Sequence, residues 1–171
     1  TGAVESLHFN FPQAIISIDT YWSKVAREAV GAGASIVNDI SSGTIDAEMM
    51  KTVAALQTPY ILMHMPGSIE TMHQKPAYEN MMREILDFFI KKIAECRQAG
   101  IQDIIIDPGF GFGKTQAQNF ELLQLLSLFG LLERPILLGV SRKSSIYNTL
   151  GVTAAEALNG TTVLNTIGLL N

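Results

Sequence analysis

The sequence predicts an α/β fold built on parallel strands, and three observations point to this class. Five short runs rich in Ile and Val have the length and composition of buried strands, and each is followed by a helical pattern. Only 16% of the 171 residues are charged, and the mean hydropathy is +0.23, as expected of a sheet covered by helices. Each run also ends in, or is directly followed by, a polar residue that a protein core would reject.

The predicted elements alternate along the chain. The strands are expected at 15–19, 35–39, 60–64, 103–107 and 136–140. The helices are expected from a cap at Ser23 to Gly31 and Gly33, from a cap at Asp46 to just before Pro59, at 78–99 closed by Gly100, at 119–129 and at 154–170. This alternation indicates right-handed crossovers, and it leaves two architectures open, an α/β barrel and a doubly wound sheet.

The composition excludes several classes of protein. No apolar run reaches the roughly 18 to 20 residues of a membrane span, and the start of the chain lacks the features of a signal peptide. We therefore expect a cytoplasmic protein with no membrane partner. The net charge is −4 and no basic stripe is present, so a nucleic-acid partner is not expected either. The single cysteine, Cys96, lies in a helical pattern, where we expect it to pack in the core.

The strand ends carry the candidate site residues. They are Asp19, Asn38, Asp39, His64, Asp107, Ser141, Arg142 and Lys143. In parallel α/β proteins the carboxyl ends of the strands open toward the ligand, so five such ends in succession favour a binding site. Asp19 could instead cap the helix near Ser23, although Ser23 is the better placed cap. Asn38 could belong to a simple turn, but its amide offers both a donor and an acceptor to the edge of a heterocycle.

The densest motif lies at 107–115, where Asp107 is followed by three glycines that alternate with Phe110 and Phe112. Glycines permit close approach of a ligand to the backbone, and phenylalanines offer flat faces for stacking. The loop resembles a nucleotide-binding phosphate loop, but that motif needs a glycine where this chain has Pro108. The spacing also fails the dinucleotide-binding fingerprint.

Two other strand ends each allow a structural and a functional interpretation. Arg142 and Lys143 could be a solvated surface pair, but their place after an apolar strand favours contact with an anionic or carbonyl-bearing ligand. His64 has no second histidine or acidic residue at ligand spacing, so we expect a hydrogen-bonded structural histidine and not a metal ligand. Met63 beside it either packs in the core or lines a pocket.

Taken in order, five motifs resemble the dihydropteroate synthase family. They are Ser-Ile-Asp-Thr at 17–20, Asn-Asp-Ile-Ser at 38–41, Met-His-Met at 63–65, Asp-Pro-Gly-Phe-Gly-Phe-Gly-Lys at 107–114 and Ser-Arg-Lys-Ser at 141–144. The resemblance covers nearly the whole chain. It implies a (β/α)8 TIM barrel, of which residues 1–171 would form one incomplete pterin-binding domain covering roughly strands three to seven. A chain missing both ends should not turn over substrate efficiently by itself.

The resemblance also implies an activity: joining 6-hydroxymethyl-7,8-dihydropterin pyrophosphate to p-aminobenzoate to give 7,8-dihydropteroate. The implied pterin-binding residues are Asp19, Asn38, Ile40, Met63, Asp107, Phe112, Gly139 and Lys143. The implied p-aminobenzoate residues are Phe112, Arg142, Lys143 and Ser144, and the implied catalytic residues are Asp19, Asp107 and Lys143. Mg²⁺ would accompany the pyrophosphate with its ligands outside this chain, and the full-length protein would be a homodimer.

Two other functions stay open at this point. A pterin-binding methyltransferase domain shares the barrel and the acidic and amide strand ends, but it does not need the Ser-Arg-Lys-Ser motif at 141–144. The resemblance implies that two pyrophosphate-binding motifs of the family, Asn-Val-Thr-Pro and Arg-x-His, lie outside residues 1–171, and a non-catalytic pterin-binding module would explain their absence. Methyl transfer from methyltetrahydrofolate to a corrinoid protein would favour the first alternative. A reading frame that does not extend past Thr1 and Asn171 would favour the second.

Overall fold

The computed structural model describes residues 1–67 and 77–171, and the chain divides into two compact units. The first unit contains residues 1–63 and 88–106, and the second contains residues 64–87 and 107–171. The expectation of one domain over the whole chain stays a prediction.

Four parallel strands form the sheet. They are β1 (Ser17–Asp19), β2 (Ile36–Asp39), β3 (Tyr60–Met63) and β4 (Ile104–Asp107), and they lie side by side in chain order. The register pairs Asp19 with Asn38 and Asp39 with Leu62. The sheet belongs to the first unit except for Asp107, which is counted with the second. The predicted α/β class and the first four predicted strands are confirmed.

The fifth predicted strand is wrong. Ile136 forms a single bridge, and residues 137–140 have no regular secondary structure. An apolar run becomes a strand only where its N–H and C=O groups pair with a neighbouring strand over several residues. Composition shows that the segment is apolar, but it cannot show whether such a neighbour is present.

Seven α-helices and one 3₁₀ helix are formed by the described residues. They are α1 (Gly2–Asn10), α2 (Ser23–Gly31), α3 (Met49–Leu56), α4 (Met81–Ala99), α5 (Gln116–Gln124), the 3₁₀ helix (Leu126–Leu132), α6 (Ser144–Leu150) and α7 (Leu158–Leu170). Helices α1 and α6 were not predicted, and the helix expected at 119–129 divides into α5 and the 3₁₀ helix. No helix within 1–67 and 77–171 is both long and apolar enough to cross a membrane.

Each unit has its own core. In the first, Val37 and Leu62 of the sheet are fully buried, as are Val53 of α3 and Phe89 of α4. Cys96 of α4 is also fully buried, and burial raises its pKa to about 12, which agrees with the predicted packing role. In the second unit the fully buried large side chains include Phe110, Leu122, Phe129 and Val140.

The two predicted helix caps are wrong, and the reason is a tertiary contact. Ser23 is the first residue of α2, and its N–H donates to Asp46 Oδ2 at 2.8 Å. The other oxygen of Asp46, Oδ1, accepts from the N–H of Glu48 at 3.0 Å. The helix N-caps are Trp22 for α2 and Glu48 for α3. One carboxylate therefore serves the starts of two helices, because each first turn has N–H groups without intrahelical partners.

We expect Asp46→Ala to lower the melting temperature at neutral pH. Hydrogen bonds from Ser23, and then from the Glu48 N–H, hold the pKa of Asp46 below its ordinary value. A lowered pKa in the folded state stabilises the protein above the ordinary carboxyl pKa of about 3.9, and this contribution is lost as pH falls through the folded-state pKa. Circular dichroism melts at several pH values should show the difference from the parent shrinking in acid. Equal melting temperatures at neutral pH would contradict this role; Asp46→Asn, which keeps one acceptor, is the control.

Candidate functional site

Asp19 and Asn38 lie next to each other at the carboxyl ends of β1 and β2. They are register partners in the parallel ladder, so their backbones are neighbours. Asp19 is exposed, yet partial loss of hydration and then the nearby charge of Asp39 raise its pKa. A carboxylate and an amide are thus presented side by side at one edge of the sheet.

The side-chain oxygen of Asn38 stands out in this pair. Asn38 Oδ1 is buried and has no hydrogen-bond partner among residues 1–67 and 77–171. Buried polar atoms are nearly always paired, and an unpaired one costs free energy of about 1–3 kcal/mol. An acceptor kept in this state is well suited to the N–H group of a ligand.

Asp39 organises the turn that follows β2. Its fully buried carboxylate accepts from the Ser41 N–H at 2.8 Å, the Ser41 Oγ at 2.7 Å, the Gly43 N–H at 2.8 Å and the Tyr60 hydroxyl at 2.6 Å. Four donors compensate for the water that this carboxylate has lost. Burial, and then Asp39, raise the pKa of the Tyr60 hydroxyl. The turn therefore has a fixed shape directly after Asn38.

Ile40 and Met63, which the sequence assigns to the pterin pocket, belong to the same part of the first unit. Ile40 is half-buried in the turn, and Met63 is the buried last residue of β3. The Ser42 hydroxyl donates to the Met63 carbonyl at 2.9 Å. Ser42 has a φ of +51°, a backbone conformation that this hydrogen bond helps to hold.

Asp107, at the end of β4, is the buried carboxylate of the second unit. Only 9% of the residue is exposed, and one of its oxygens accepts from the Gly109 N–H at 2.8 Å. Burial raises its pKa, while the Gly109 N–H, Lys143 and Lys114 act in the opposite direction. The group is therefore a desolvated carboxylate with two cations close by.

Lys143 lies against the glycine-rich loop. Its Nζ is 4.4 Å from the centre of the Phe112 ring and donates to the Phe110 carbonyl. Its stem fills the space beside Gly111, where a Cβ would come within 2.7 Å of Lys143 Cδ. Burial lowers the pKa of Lys143, and Asp107 opposes that shift. Gly139 lies at the same ammonium, since a Cβ there would be 3.9 Å from Nζ.

Arg142 and Ser144 flank Lys143 and are both exposed. Arg142 has a φ of +48°, in the left-handed region, and its backbone N–H donates to Thr161 Oγ1 at 2.9 Å. Ser144 is the first residue of α6, and Lys143 is the N-cap. These two side chains face solvent, whereas residues Phe112, Gly139 and Lys143 are half-buried.

His64 and Lys114 form a buried pair in the second unit. The Nζ of Lys114 lies 3.2 Å from His64 Nδ1. Burial, and then the charge of Lys114, lower the pKa of His64 to about 3, so the imidazole is neutral at physiological pH. His64 is thus the hydrogen-bonded structural histidine that the sequence predicted.

The comparison with known proteins decides the family. The family model described as "Pterin binding enzyme" matches residues 2–170 of the chain. The chain belongs to the pterin-binding enzyme family. The family assignment drawn from the five sequence motifs is therefore confirmed.

Relatives of this chain include dihydropteroate synthases. It is 42% identical over 147 residues to the dihydropteroate synthase of Escherichia coli (strain K12), a match that covers 85% of this chain and 52% of that protein. The Yersinia pestis enzyme, solved with a sulfonamide drug complex, has a TM-score of 0.94 at 36% identity, covering 98% of this chain and 61% of that one.

A third relative is the Xanthomonas albilineans dihydropteroate synthase, solved with 4-aminobenzoic acid. Its TM-score is 0.89 at 34% identity, and the match covers 96% of this chain and 59% of that one. The chain spans about half the length of the curated relatives it matches.

Sequence reasoning missed two residues that shape the glycine-rich loop of the candidate site. Lys114 is the last residue of the motif at 107–114, but the motif predicts no role for it. Asn119 of α5 is buried; its Oδ1 accepts from the Gly111 N–H at 2.6 Å, and its Nδ2 donates to Ser145 Oγ at 3.1 Å. The available signal was a polar residue on the apolar face of a helix, four residues after the N-cap Thr115.

The predicted site residues of this chain fall into two groups. Asp19, Asn38, Ile40 and Met63 belong to the first unit, and Asp107, Phe112, Gly139, Arg142, Lys143 and Ser144 belong to the second. Within the described parts of the chain, no group of three or more His, Cys, Asp or Glu residues could hold a metal ion. The roles assigned to the site residues stay predictions.

Proposed function

We propose that this protein acts as a dihydropteroate synthase of folate biosynthesis. The proposed reaction joins 6-hydroxymethyl-7,8-dihydropterin pyrophosphate and p-aminobenzoate to give 7,8-dihydropteroate and pyrophosphate. The observation that carries the proposal is the buried Asn38 Oδ1, which has no hydrogen-bond partner among the described residues and lies beside Asp19 in a chain of the pterin-binding enzyme family. Pterins carry adjacent N–H donors on one edge, and this pair offers the matching acceptors.

The proposed pterin site uses charge-assisted hydrogen bonds. A 2-amino-4-oxopyrimidine ring presents neighbouring N–H donors, and the Asp107 carboxylate can accept two of them in parallel. Asn38 Oδ1 accepts a further N–H, whereas Lys143 has only donors and so selects the oxygen side of the ring. Ile40, Met63, Phe112 and Gly139 provide the apolar and close-contact surfaces of the proposed pocket.

The proposed p-aminobenzoate site lies on the second unit. Phe112 and the Lys143 stem offer packing faces to a benzene ring, and the 4.4 Å distance between Nζ and the Phe112 ring shows that the two side chains already contact each other. Arg142 and Ser144 would meet the carboxylate of p-aminobenzoate. A relative solved with 4-aminobenzoic acid and another solved with a sulfonamide drug complex support this assignment. We propose that sulfonamides compete for the same site.

The proposed chemistry is a dissociative displacement. The bond between the pterin methylene carbon and the pyrophosphate oxygen breaks, and pyrophosphate leaves with the electron pair. The nitrogen lone pair of p-aminobenzoate then bonds to the methylene cation, and that nitrogen loses a proton to solvent. Negative charge near the methylene carbon stabilises the cation, so we assign Asp19 this role, with Asp107 and Lys143 orienting the ring.

The remaining proposals concern assembly and surroundings. We propose that β1 to β4 correspond to strands three to six of a (β/α)8 barrel, with residues 136–140 in the place of the seventh, as the likeness to the Yersinia pestis enzyme suggests. A cytoplasmic location and a homodimeric full-length protein are also proposed. We propose that Mg²⁺ arrives with the pyrophosphate and that its ligands lie outside this chain.

We expect Asn38→Ala to weaken pterin binding about tenfold, because a ligand N–H loses its acceptor. The same change should not lower the melting temperature, since it removes a buried oxygen that has no partner among the described residues. Isothermal titration calorimetry with 6-hydroxymethylpterin measures the affinity, and Asn165→Ala, which removes an exposed amide on α7, is the matched control. Unchanged affinity in Asn38→Ala would contradict the assignment.

The function itself is tested with both substrates and Mg²⁺. Formation of dihydropteroate would support the proposal. Methyl transfer from methyltetrahydrofolate to a corrinoid protein would favour a methyltransferase instead. Saturable pterin binding with no p-aminobenzoate binding would favour a non-catalytic pterin-binding module. No pterin binding by the parent protein would overturn the proposal.

A further inference from the structure

Lys114, at the end of the glycine-rich loop, is a buried cation to which the proposed reaction gives no role. Only 9% of the residue is exposed. Its ammonium donates to the Gly109 carbonyl at 3.0 Å and the Phe112 carbonyl at 3.2 Å, and it lies 3.2 Å from His64 Nδ1. An ammonium has three N–H donors, so these three acceptors account for all of them.

The contact with His64 has a defined chemical form. Because the imidazole is neutral, Nδ1 can accept the lysine proton when the ring proton is on Nε2. The loop also meets residue 64 a second time, because a Cβ on Gly109 would lie 2.0 Å from the His64 carbonyl oxygen. Lys114 and Gly109 therefore fix the loop against the same residue just after β3.

The arrangement does not suit a phosphate-binding lysine. A phosphate-loop lysine must offer its ammonium to the ligand, whereas Lys114 donates within the protein. The carbonyl groups that accept its hydrogen bonds belong instead to residues that contact Asp107 and Lys143, the proposed ligand-binding residues. The Gly109 carbonyl accepts from Lys114, and the N–H of the same residue donates to Asp107 Oδ1. The Phe112 carbonyl belongs to the residue whose ring contacts Lys143.

We propose that Lys114 is a positioning residue: by tying the loop 107–113 to His64, it fixes the Asp107 carboxylate and the Phe112 ring for ligand binding. The inference rests on the proposed pterin-binding role of Asp107. Lys114 also acts on Asp107 through its charge, in addition to fixing the position of the loop. Burial lowers its own pKa to about 7, and its charge, with that of Lys143, opposes the rise in the pKa of Asp107.

The charged form of Lys114 should therefore set the acidic limit of pterin binding, which is the pH below which binding is lost. Among the described residues of the second unit, the groups that face Asp107 are Lys143, Lys114 and the Gly109 N–H, and His64 next to Lys114 is neutral. Asp107 must be ionised to accept two N–H groups, so binding is lost as pH falls through its pKa. Removing the Lys114 cation raises that pKa, and the loss should then begin at a higher pH.

The test compares Lys114→Met, which keeps the stem, with Lys114→Arg, which keeps the charge. Affinity for 6-hydroxymethylpterin is measured by calorimetry from pH 5 to pH 8, and any titration of the ligand is common to all variants. We expect Lys114→Met to bind about tenfold more weakly at neutral pH and to lose binding at a higher pH than the parent. Lys114→Arg should bind more weakly with the acidic limit unmoved.

The control and the contrary outcomes are distinct. Lys91→Met removes an exposed ammonium on α4 and should leave affinity unchanged. If Lys114→Met melts earlier but binds as the parent does with the same acidic limit, Lys114 is only structural and the inference fails. If Lys114→Met does not fold, Lys114→Arg decides the question. A Lys114→Arg protein that binds pterin as tightly as the parent would overturn the inference. A parent that binds no pterin overturns the proposed function as well.

Discussion

Asp107→Ala is expected to abolish pterin binding while the protein stays folded. The carboxylate would accept two ligand N–H groups, and hydrogen bonds to a charged group contribute about 1.5–3 kcal/mol each, so affinity should fall by roughly 100-fold or more. Folding should survive because the only hydrogen bond that the described residues make to this carboxylate comes from the Gly109 N–H. Calorimetry with 6-hydroxymethylpterin and a thermal melt of the same sample measure both effects.

Two further variants separate charge from position. Asp103 precedes β4 and is exposed, so Asp103→Ala removes a carboxylate from the opposite end of the same strand and should bind as the parent does. Asp107→Asn keeps an acceptor for Gly109 but loses the charge, and we expect its affinity to lie between those of the parent and Asp107→Ala. Parental affinity in Asp107→Ala would refute the assignment of this residue.

Gly109→Ala is expected to destabilise the protein by about 3 kcal/mol or more. A Cβ at this position would lie 2.0 Å from the carbonyl oxygen of His64, and a backbone atom cannot rotate away as a side chain can. The φ of +71° adds strain for any residue other than glycine. Urea denaturation should show a lower midpoint, together with weaker binding if the loop rearranges.

Gly130 provides the matched glycine for this experiment. It lies in the 3₁₀ helix, and a Cβ there would meet nothing within 4 Å. We expect Gly130→Ala to change the free energy of unfolding by no more than about 0.5 kcal/mol. An unchanged urea midpoint for Gly109→Ala would show that the loop can shift away from His64 at little cost.

The parallel sheet and part of the site could be predicted because their signals are local. An apolar run that ends in Asp or Asn marks both a buried strand and its carboxyl end, and successive parallel strands place those ends side by side. The neighbouring positions of Asp19 and Asn38 follow from this rule alone, and the register confirms them. The turn after β2 also follows, since Asp and Ser commonly bond to the backbone two residues on.

The remaining features depend on partners that are distant in sequence. Asp46 serves α2 because it lies against Ser23, 23 residues earlier, and no local capping rule indicates this. Lys114 meets His64 across 50 residues, and the run at 136–140 was assigned as a strand on composition alone. In each case the sequence shows the chemical capacity of a group, whereas the fold decides which neighbour uses it.

The left-handed backbone of Arg142 has an evolutionary consequence. For an arginine this conformation costs roughly 1–2 kcal/mol, whereas a glycine adopts it almost freely. Selection for thermal stability alone would therefore favour replacement of the arginine by glycine, and the guanidinium would be lost. Thermal stability and the proposed contact of Arg142 with p-aminobenzoate thus favour different residues at this position.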